Sequence, residues 1–372
     1  MNRRNWLMST GALMAGHVLT SRPVFSSVSP RPGKEARLQS NENPYGPSPI
    51  ARQAMTDAID EGNLYTPIPT EDFRRQIAES IGLTPDHIAV GAGSAEILKV
   101  APLLCGMEKA EIVAAHPTFE ALVDYARNIG AKLQLVPLDS FMRHDLAEMH
   151  RRTSSSTTLV FICNPNNPTG TLVKSGELQS FCEDVSRHSL VFVDEAYHEY
   201  VEDPDYRSMV PLVQKGHNVI VSRTASKIHG LAGMRIGFGI GQPDTIRKLR
   251  RLMTGSVNVV GLRGALASYR DKEFQDSCRR KCNEGKRSLY ALLDAQKLKY
   301  VRSEANFVFF QTRQSIENFR PAMRERGVIV ARPFPPYGDW CRVSIGTEDE
   351  MQQFAAALPA VLGVSEKTEK AY

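Results

Sequence analysis

The chain has 372 residues, 42% hydrophobic and 23% charged, with a formal net charge of +5. That length predicts two lobes with a cleft between them, and the ordinary composition excludes a disordered or coiled-coil protein. Its 46 Lys and Arg against 41 Asp and Glu are scattered apart from clusters such as Arg247, Lys248, Arg250 and Arg251, which read as a solvated helix face and give no footprint for nucleic acid.

Residues 1–30 follow a different rule. An arginine pair, Arg3 and Arg4, precedes a mostly apolar run from Leu7 to Leu19 and a Ser/Pro-rich stretch. This is the pattern of a twin-arginine export signal, an address kept out of the fold, and it predicts a periplasmic or otherwise exported protein. The run holds Ser9, Thr10 and His17 and is short for a membrane span, so stable insertion is not expected; an uncleaved anchor and a cytoplasmic chain are the alternatives. The six cysteines, with Cys278 and Cys282 four apart, have no companions at metal spacing, so they read as ordinary thiols with at most one disulfide, and no metal is expected.

From about residue 71 short apolar runs alternate with amphipathic ones. "DHIAVGAG" reads as a strand ending in glycines, and "SAEILKVAPLLCG" as a helix with Ser94 at its N-cap and Glu96 in its first turn. "AEIVAAHPTF" and "AKLQLVPLD" are strands flanking a helix closed by Gly130. "TTLVFICNPNNPTG", "SLVFVDEAYHEY", "HNVIVSRTASK" and "RIGFGI" follow, dense in Val, Ile and Phe with little polar alternation. Such runs predict an α/β fold, a three-layer sandwich around a mostly parallel sheet buried on both faces. A long basic helical region over roughly 243–296, then "NFVFFQT", "GVIVARPF", "WCRVSIGT" and two further helices, suits a smaller α+β domain.

Ligands of an open α/β sheet lie beyond the carboxyl ends of its strands. Several runs turn polar there: Gly93–Ser94, Asn164–Gly170, Asp194–Tyr197 and Ser222–Lys227. Lys227, among small and apolar residues, would have its ammonium disfavoured and its amine able to condense with a carbonyl; a loop lysine reaching solvent is the other reading of that stretch. Ser94 and Ala95, where a glycine turn opens a helix, offer backbone N–H groups to a phosphate, and Thr224, Ser226 and Arg235 offer hydroxyls and a guanidinium. Asp194 ends a buried strand, a costly position without a cationic partner such as a protonated pyridine nitrogen. Glu195 points the other way and reads as structural. Asn167 and Tyr197 are placed to bond a ring oxygen and Phe119 to stack on the ring.

Together, "NENPYG", "GAGSAEIL", "HPTF", "NPNNPTG", "VDEAY", "SKIHGLAGMRIGF" and "WCRVSIGT" resemble the fold-type I pyridoxal-phosphate aminotransferases, and within them the histidinol-phosphate aminotransferase branch, over about residues 37–361. The resemblance implies that Lys227 attaches the cofactor and shuttles the proton, that Asp194 pairs with the pyridine nitrogen, and that Ser94, Ala95, Thr224, Ser226 and Arg235 hold the phosphate. Asn167 and Tyr197 would contact the ring oxygen, and Phe119 one ring face. It further implies that Arg342 clamps a substrate carboxylate with Arg332 as helper, that Asn41 and Tyr45 line the substrate pocket, and that Tyr65 reaches the partner's cofactor in a homodimer. The implied organisation is an N-terminal arm over 31–60, a large cofactor-binding domain over 61–245, a long linking helix and small domain over 246–361, and a tail over 362–372. The activity implied is transfer of an amino group between an amino acid or related amine and a 2-oxo acid. A racemase, decarboxylase or lyase on the same fold is the alternative.

Overall fold

The computed structural model describes residues 35–65 and 67–363. The export-signal segment, 1–30, and the tail from 364 lie outside the described residues. The described residues group as one compact unit.

The strands are β1 (Ala36–Leu38), β2 (Ile88–Ala92), β3 (Glu111–His116), β4 (Lys132–Pro137), β5 (Leu159–Cys163), β6 (Leu190–Asp194), β7 (Val219–Thr224), β8 (Ile236–Ile240), β9 (Tyr300–Val301), β10 (Phe307–Gln311), β11 (Val328–Val330) and β12 (Trp340–Ser344). The helices are α1 (Pro49–Asp57), α2 (Pro67–Ser80), α3 (Ser94–Leu104), α4 (Glu120–Asn128), α5 (Leu146–Arg152), α6 (Ser175–Val185), α7 (Val210–Gln214), α8 (Pro243–Leu252), α9 (Val259–Arg270), α10 (Lys272–Ala295), α11 (Ile316–Arg324) and α12 (Glu348–Val361).

Seven strands form one sheet in the order β2-β8-β7-β6-β5-β3-β4. The pairs from β4 to β7 are parallel, whereas β8 runs antiparallel to both β7 and β2. Alternate side chains of each strand go to opposite faces, and both faces are dry. Val113, Val160, Val191 and Val193 pack with Phe73 of α2, Met149 of α5, Phe181 of α6 and Leu262 of α9. Ile112, Leu159, Phe161 and Phe192 pack with Ile97 of α3, Leu122 of α4 and Leu249 of α8. Burial on both sides is why these runs carry no polar alternation, and the result is the expected three-layer sandwich.

A second cluster joins Leu38 of β1, Leu289 of α10, Phe310 of β10, Phe319 of α11, Val328 of β11 and Phe354 of α12. Here β12-β10-β9 form an antiparallel sheet, and β1 pairs in parallel with β11. The chain's first described strand is thereby tied to its last third.

Two expectations are corrected. The N-cap of α3 is Gly93, at φ +79°, and Ser94 is the first helical residue; the glycine adopts a backbone that a serine would adopt only with strain. The basic region over 243–296 is three helices rather than one. It breaks because Asn258 and Asp271 each turn a side-chain oxygen onto the N–H three residues ahead, Gly261 and Phe274, capping α9 and α10.

Candidate active site

The register of the parallel strands aligns Cys163, Asp194 and Ser222 at the carboxyl edge of the sheet. Asp194 is buried there and accepts a hydrogen bond from Ser222 Oγ at 2.7 Å. Burial pushes its carboxyl up to about 6, against the pull of that hydrogen bond and of the Lys227 charge. No cation stands within ion-pair distance of it among the described residues. Glu195, one residue on, faces away: it accepts from Ser208 Oγ, from the Met209 N–H at 2.7 Å and from Arg223 at 2.9 Å. Its role is to pin the following loop. Tyr197 then returns to the Asp194 side, where Asn41 Nδ2 donates to its hydroxyl at 3.0 Å and its ring packs edge-on against Phe307. Burial raises its phenol well above the ordinary range.

Lys227 sits in the turn after β7. The Gly230 N–H closes that turn on the Lys227 carbonyl at 2.9 Å. Gly230 has φ +68°, and a Cβ there would collide with the backbone of Gly46, so the N-terminal strip lies directly against the lysine turn. The strip supplies what Nζ touches: it donates to the Ser40 and Asn41 carbonyls, both at 3.3 Å, and lies 5.4 Å from the Tyr197 ring centre. Burial, helped by the nearby Arg342 charge, lowers its ammonium to about 8. The lysine therefore gives up its proton far more readily than an exposed one and is held close to a buried acid, and the solvent-loop reading does not hold.

Beside it the elements converge on an anion cradle. The first N–H groups of α3, at Ser94 and Ala95, have no intrahelical acceptor. Thr224 Oγ1 and Ser226 Oγ lie 2.9 Å apart, and Arg235 donates to Ser226 Oγ at 3.3 Å. Arg235 adopts φ +56°, a conformation that costs a non-glycine residue of order 1 kcal/mol, and it aims the guanidinium back over Gly93. Two glycines make room: a Cβ on Gly93 would strike that guanidinium, and one on Gly237 would strike the backbone of Ser94. A phosphate matches these donors, and a cationic ring N–H matches the unpaired Asp194. The residues fit pyridoxal phosphate.

The substrate side comes from the small sheets. Arg342 of β12 is buried and donates to the Gln39 carbonyl at 2.6 Å and to Asn167 Oδ1 at 2.5 Å. Burial lowers it to about 10, still fully charged at neutral pH. Arg332 is more exposed and pairs with Glu120 at the start of α4. These groups enclose a cavity of about 550 Å³, lined by every predicted site residue except Tyr45 and Tyr65.

The two tyrosines lie elsewhere. Asn43 ties its strip to α10 and the lysine turn, donating to Cys278 Sγ and the Ile228 carbonyl while accepting from the Tyr45 N–H. That turn swings the Tyr45 ring under Lys281, 4.3 Å away, into a groove of about 620 Å³ between α10 and α12. This groove, though somewhat larger, has no buried carboxylate beside its lysine. Tyr65 is 99% exposed and reaches no part of the Lys227 cavity in its own chain. Conversely, the cavity wall includes Arg320 of α11, which nothing in the sequence distinguishes from the arginines of a solvated helix. All six cysteines are free thiols, and no cluster of metal-ligating side chains exists among the described residues.

A family model for aminotransferase class I and II matches residues 34–358. A histidinol-phosphate aminotransferase of Moorella thermoacetica is 38% identical over 88% of this chain and 85% of its own length. An aromatic amino acid aminotransferase of Thermobifida fusca is 37% identical over 90% and 92%. The crystal structure of the histidinol-phosphate aminotransferase from Sinorhizobium meliloti in complex with pyridoxal-5'-phosphate superposes with a TM-score of 0.80 at 26% identity, covering 89% of this chain and 91% of that one.

Proposed function

The chain belongs to the class I and II aminotransferase family, and from that premise we propose that its amino donor is histidinol phosphate or a closely similar primary amine, with a 2-oxo acid as acceptor. It is a pyridoxal-phosphate-dependent aminotransferase. Bound pyridoxal phosphate supplies an aldehyde that holds the amine and a ring that takes up the electron pair released when the C–H bond breaks. The observation that carries the reading is that Lys227, its ammonium weakened by burial, and the buried Asp194, which has no ion-pair partner among the described residues, line one cavity.

The geometry supports the following roles. With pyridoxal phosphate bound, Lys227 Nζ would take and hand back the proton of the substrate carbon that bears nitrogen. Asp194 stabilises a positive ring nitrogen, and Ser222 holds its carboxylate in place. Asn167 gives its oxygen to Arg342, which leaves its amide N–H groups and the Tyr197 hydroxyl for the ring oxygen. Ser94, Ala95, Thr224, Ser226 and Arg235 would hold the phosphate, Phe119 would cover the ring, and Arg342 with Asn41 would orient the substrate, all of them lining the one cavity. Arg332, drawn toward Glu120, serves as an outer support.

A homodimer is supported by Tyr65 and by the apolar side chains exposed beside it, Ile59, Leu64 and Ile68. Export is supported by the Arg3–Arg4 pair and the apolar run after it; among the described residues no helix is long and apolar enough to cross a membrane. Mapping the mature N-terminus in fractionated cells tests export, and an intact chain confined to the cytosol refutes it.

The activity is tested by half-reaction. Holoenzyme mixed with histidinol phosphate should lose its cofactor aldehyde absorbance and release one equivalent of carbonyl product, and K227A should lose at least about a thousandfold in rate. In cofactor-free protein, borohydride trapping of added pyridoxal phosphate at Lys227 should rise with pH about a midpoint near 8. Retention of the aldehyde band with racemised, decarboxylated or cleaved product would place the enzyme in another class.

A further inference from the structure

We propose that Arg320 of α11 binds the distal anionic group of the substrates, a carboxylate or a phosphate at the end remote from the reacting carbon. This rests on the aminotransferase reading of the site.

The cavity holds three guanidiniums on its substrate side, and two are occupied. Arg342 donates to Gln39 and Asn167, and Arg332 to Glu120 and the Pro333 carbonyl. Arg320 is different. Its Nε, like that of Arg342, is shielded from water without an acceptor, but Arg342 spends its other nitrogens on Gln39 and Asn167, whereas among the described residues no hydrogen bond or ion pair engages any nitrogen of Arg320. The shielded Nε–H forgoes the hydrogen bond it would make in water, a penalty removed when a ligand brings an oxygen to it, and the terminal nitrogens are left for the ligand's other oxygens.

The helix fixes where it points. Ile316, Phe319 and Met323 of α11 are buried in the core under the small sheets, which anchors the helix and leaves Arg320 on the cavity wall. The charge count agrees. The lining carboxylates are Glu42 and Asp194, against Lys227, Arg235, Arg320, Arg332 and Arg342. Glu42 already faces Arg37 at 3.5 Å, and Asp194 lies at the cofactor end. With Arg235 at the phosphate cradle and Arg332 paired, Arg320 and Arg342 remain as two positive groups for the substrate. A planar fork of donors suits carboxylate and phosphate alike.

The test uses holoenzyme and donors that differ only in the distal group: L-glutamate against L-norvaline, and histidinol phosphate against histidinol. In R320Q the ratio of kcat/KM within a pair should fall about 10- to 100-fold, and R320K, a point charge without the fork, should fall between. A calorimetric readout runs beside it, the affinity of holoenzyme for glutarate over butyrate, which should shrink by a similar factor. Loss confined to the first pair assigns Arg320 to a dicarboxylate, loss confined to the second to a phosphate ester, and loss in both to a shared anion site. Ratios unmoved beyond about twofold in folded R320Q, or in R320K should R320Q not fold, overturn the proposal. If wild type converts none of the four donors, the substrate reading fails instead, and the glutarate ratio alone decides Arg320.

Discussion

Asp194 is held in place at the expense of the apoprotein. Its carboxyl is raised by burial from 3.8 to about 6, so between these values the folded chain binds a proton that the unfolded chain has released. Stability therefore falls as pH rises through this window, and the full deficit, about 3 kcal/mol at about 1.4 kcal/mol per pK unit, is present at neutral pH. D194N retains an oxygen for Ser222 and removes the charge. Cofactor-free D194N should melt a few degrees above wild type at pH 8 and together with it near pH 4, while added pyridoxal phosphate should raise the wild-type transition more than the variant's. Thermal melts at both pH values, with and without cofactor, check this, and a variant no more stable than wild type at pH 8 contradicts it. The sequence made Asp194 legible because an acid at the end of an apolar run is rare. It left Arg320 invisible, since an arginine in an amphipathic helix has no local mark of facing a cavity, and it misplaced Tyr45, whose direction depends on a contact between Asn43 and Cys278 separated by 235 positions.

Among the elements, the approach of β8 to the start of α3 decides whether a phosphate can be held. Gly237 lies where any side chain would meet the Ser94 backbone, and a backbone cannot swing aside as a side-chain tip can. G237A should push back the first turn of α3 at a cost of about 1–3 kcal/mol and weaken pyridoxal phosphate binding at least about tenfold. Binding of pyridoxal, which lacks the phosphate, should change little; equal losses for both ligands, read by absorbance titration, would mean general damage instead. The strands around this contact were readable as continuous apolar runs, and their polar ends located the site. Their directions were not: a strand buried on both faces looks the same in either orientation, so antiparallel β8 emerges only from its pairing with β7 and β2. The helix boundaries after residue 252 were hidden for a related reason, because the Asn258 and Asp271 caps sit inside a basic, helix-favouring stretch whose composition hardly changes.

At the scale of the whole molecule, a tyrosine 99% exposed beside three apolar neighbours is the outstanding anomaly of the surface. Ile59, Leu64 and Ile68, all within six positions of Tyr65, are each more than 60% exposed, and Ile50 on α1 is 60% exposed, so the chain around Tyr65 presents an apolar face to water. Exposed apolar side chains of this kind mark an association surface, and the proposed partner is a second copy of the chain, meeting it in a self-complementary contact. The cavity of about 640 Å³ that Tyr65 lines, between the 62–74 segment and residues 250–260, lies on this same face. L64D/I68D places two charges in the patch without touching the Lys227 cavity, so it should convert a dimer to monomers in analytical ultracentrifugation at micromolar concentration. On the proposal that Tyr65 reaches the partner's cofactor, cofactor affinity should fall along with the dimer. Y65F separates the two effects: it should stay dimeric and lose about 10- to 100-fold in pyridoxal phosphate affinity, the scale of one hydrogen bond to a charged group. A wild-type monomer, or a dimer indifferent to L64D/I68D, would assign the face to some other partner and leave the cofactor held by one chain alone.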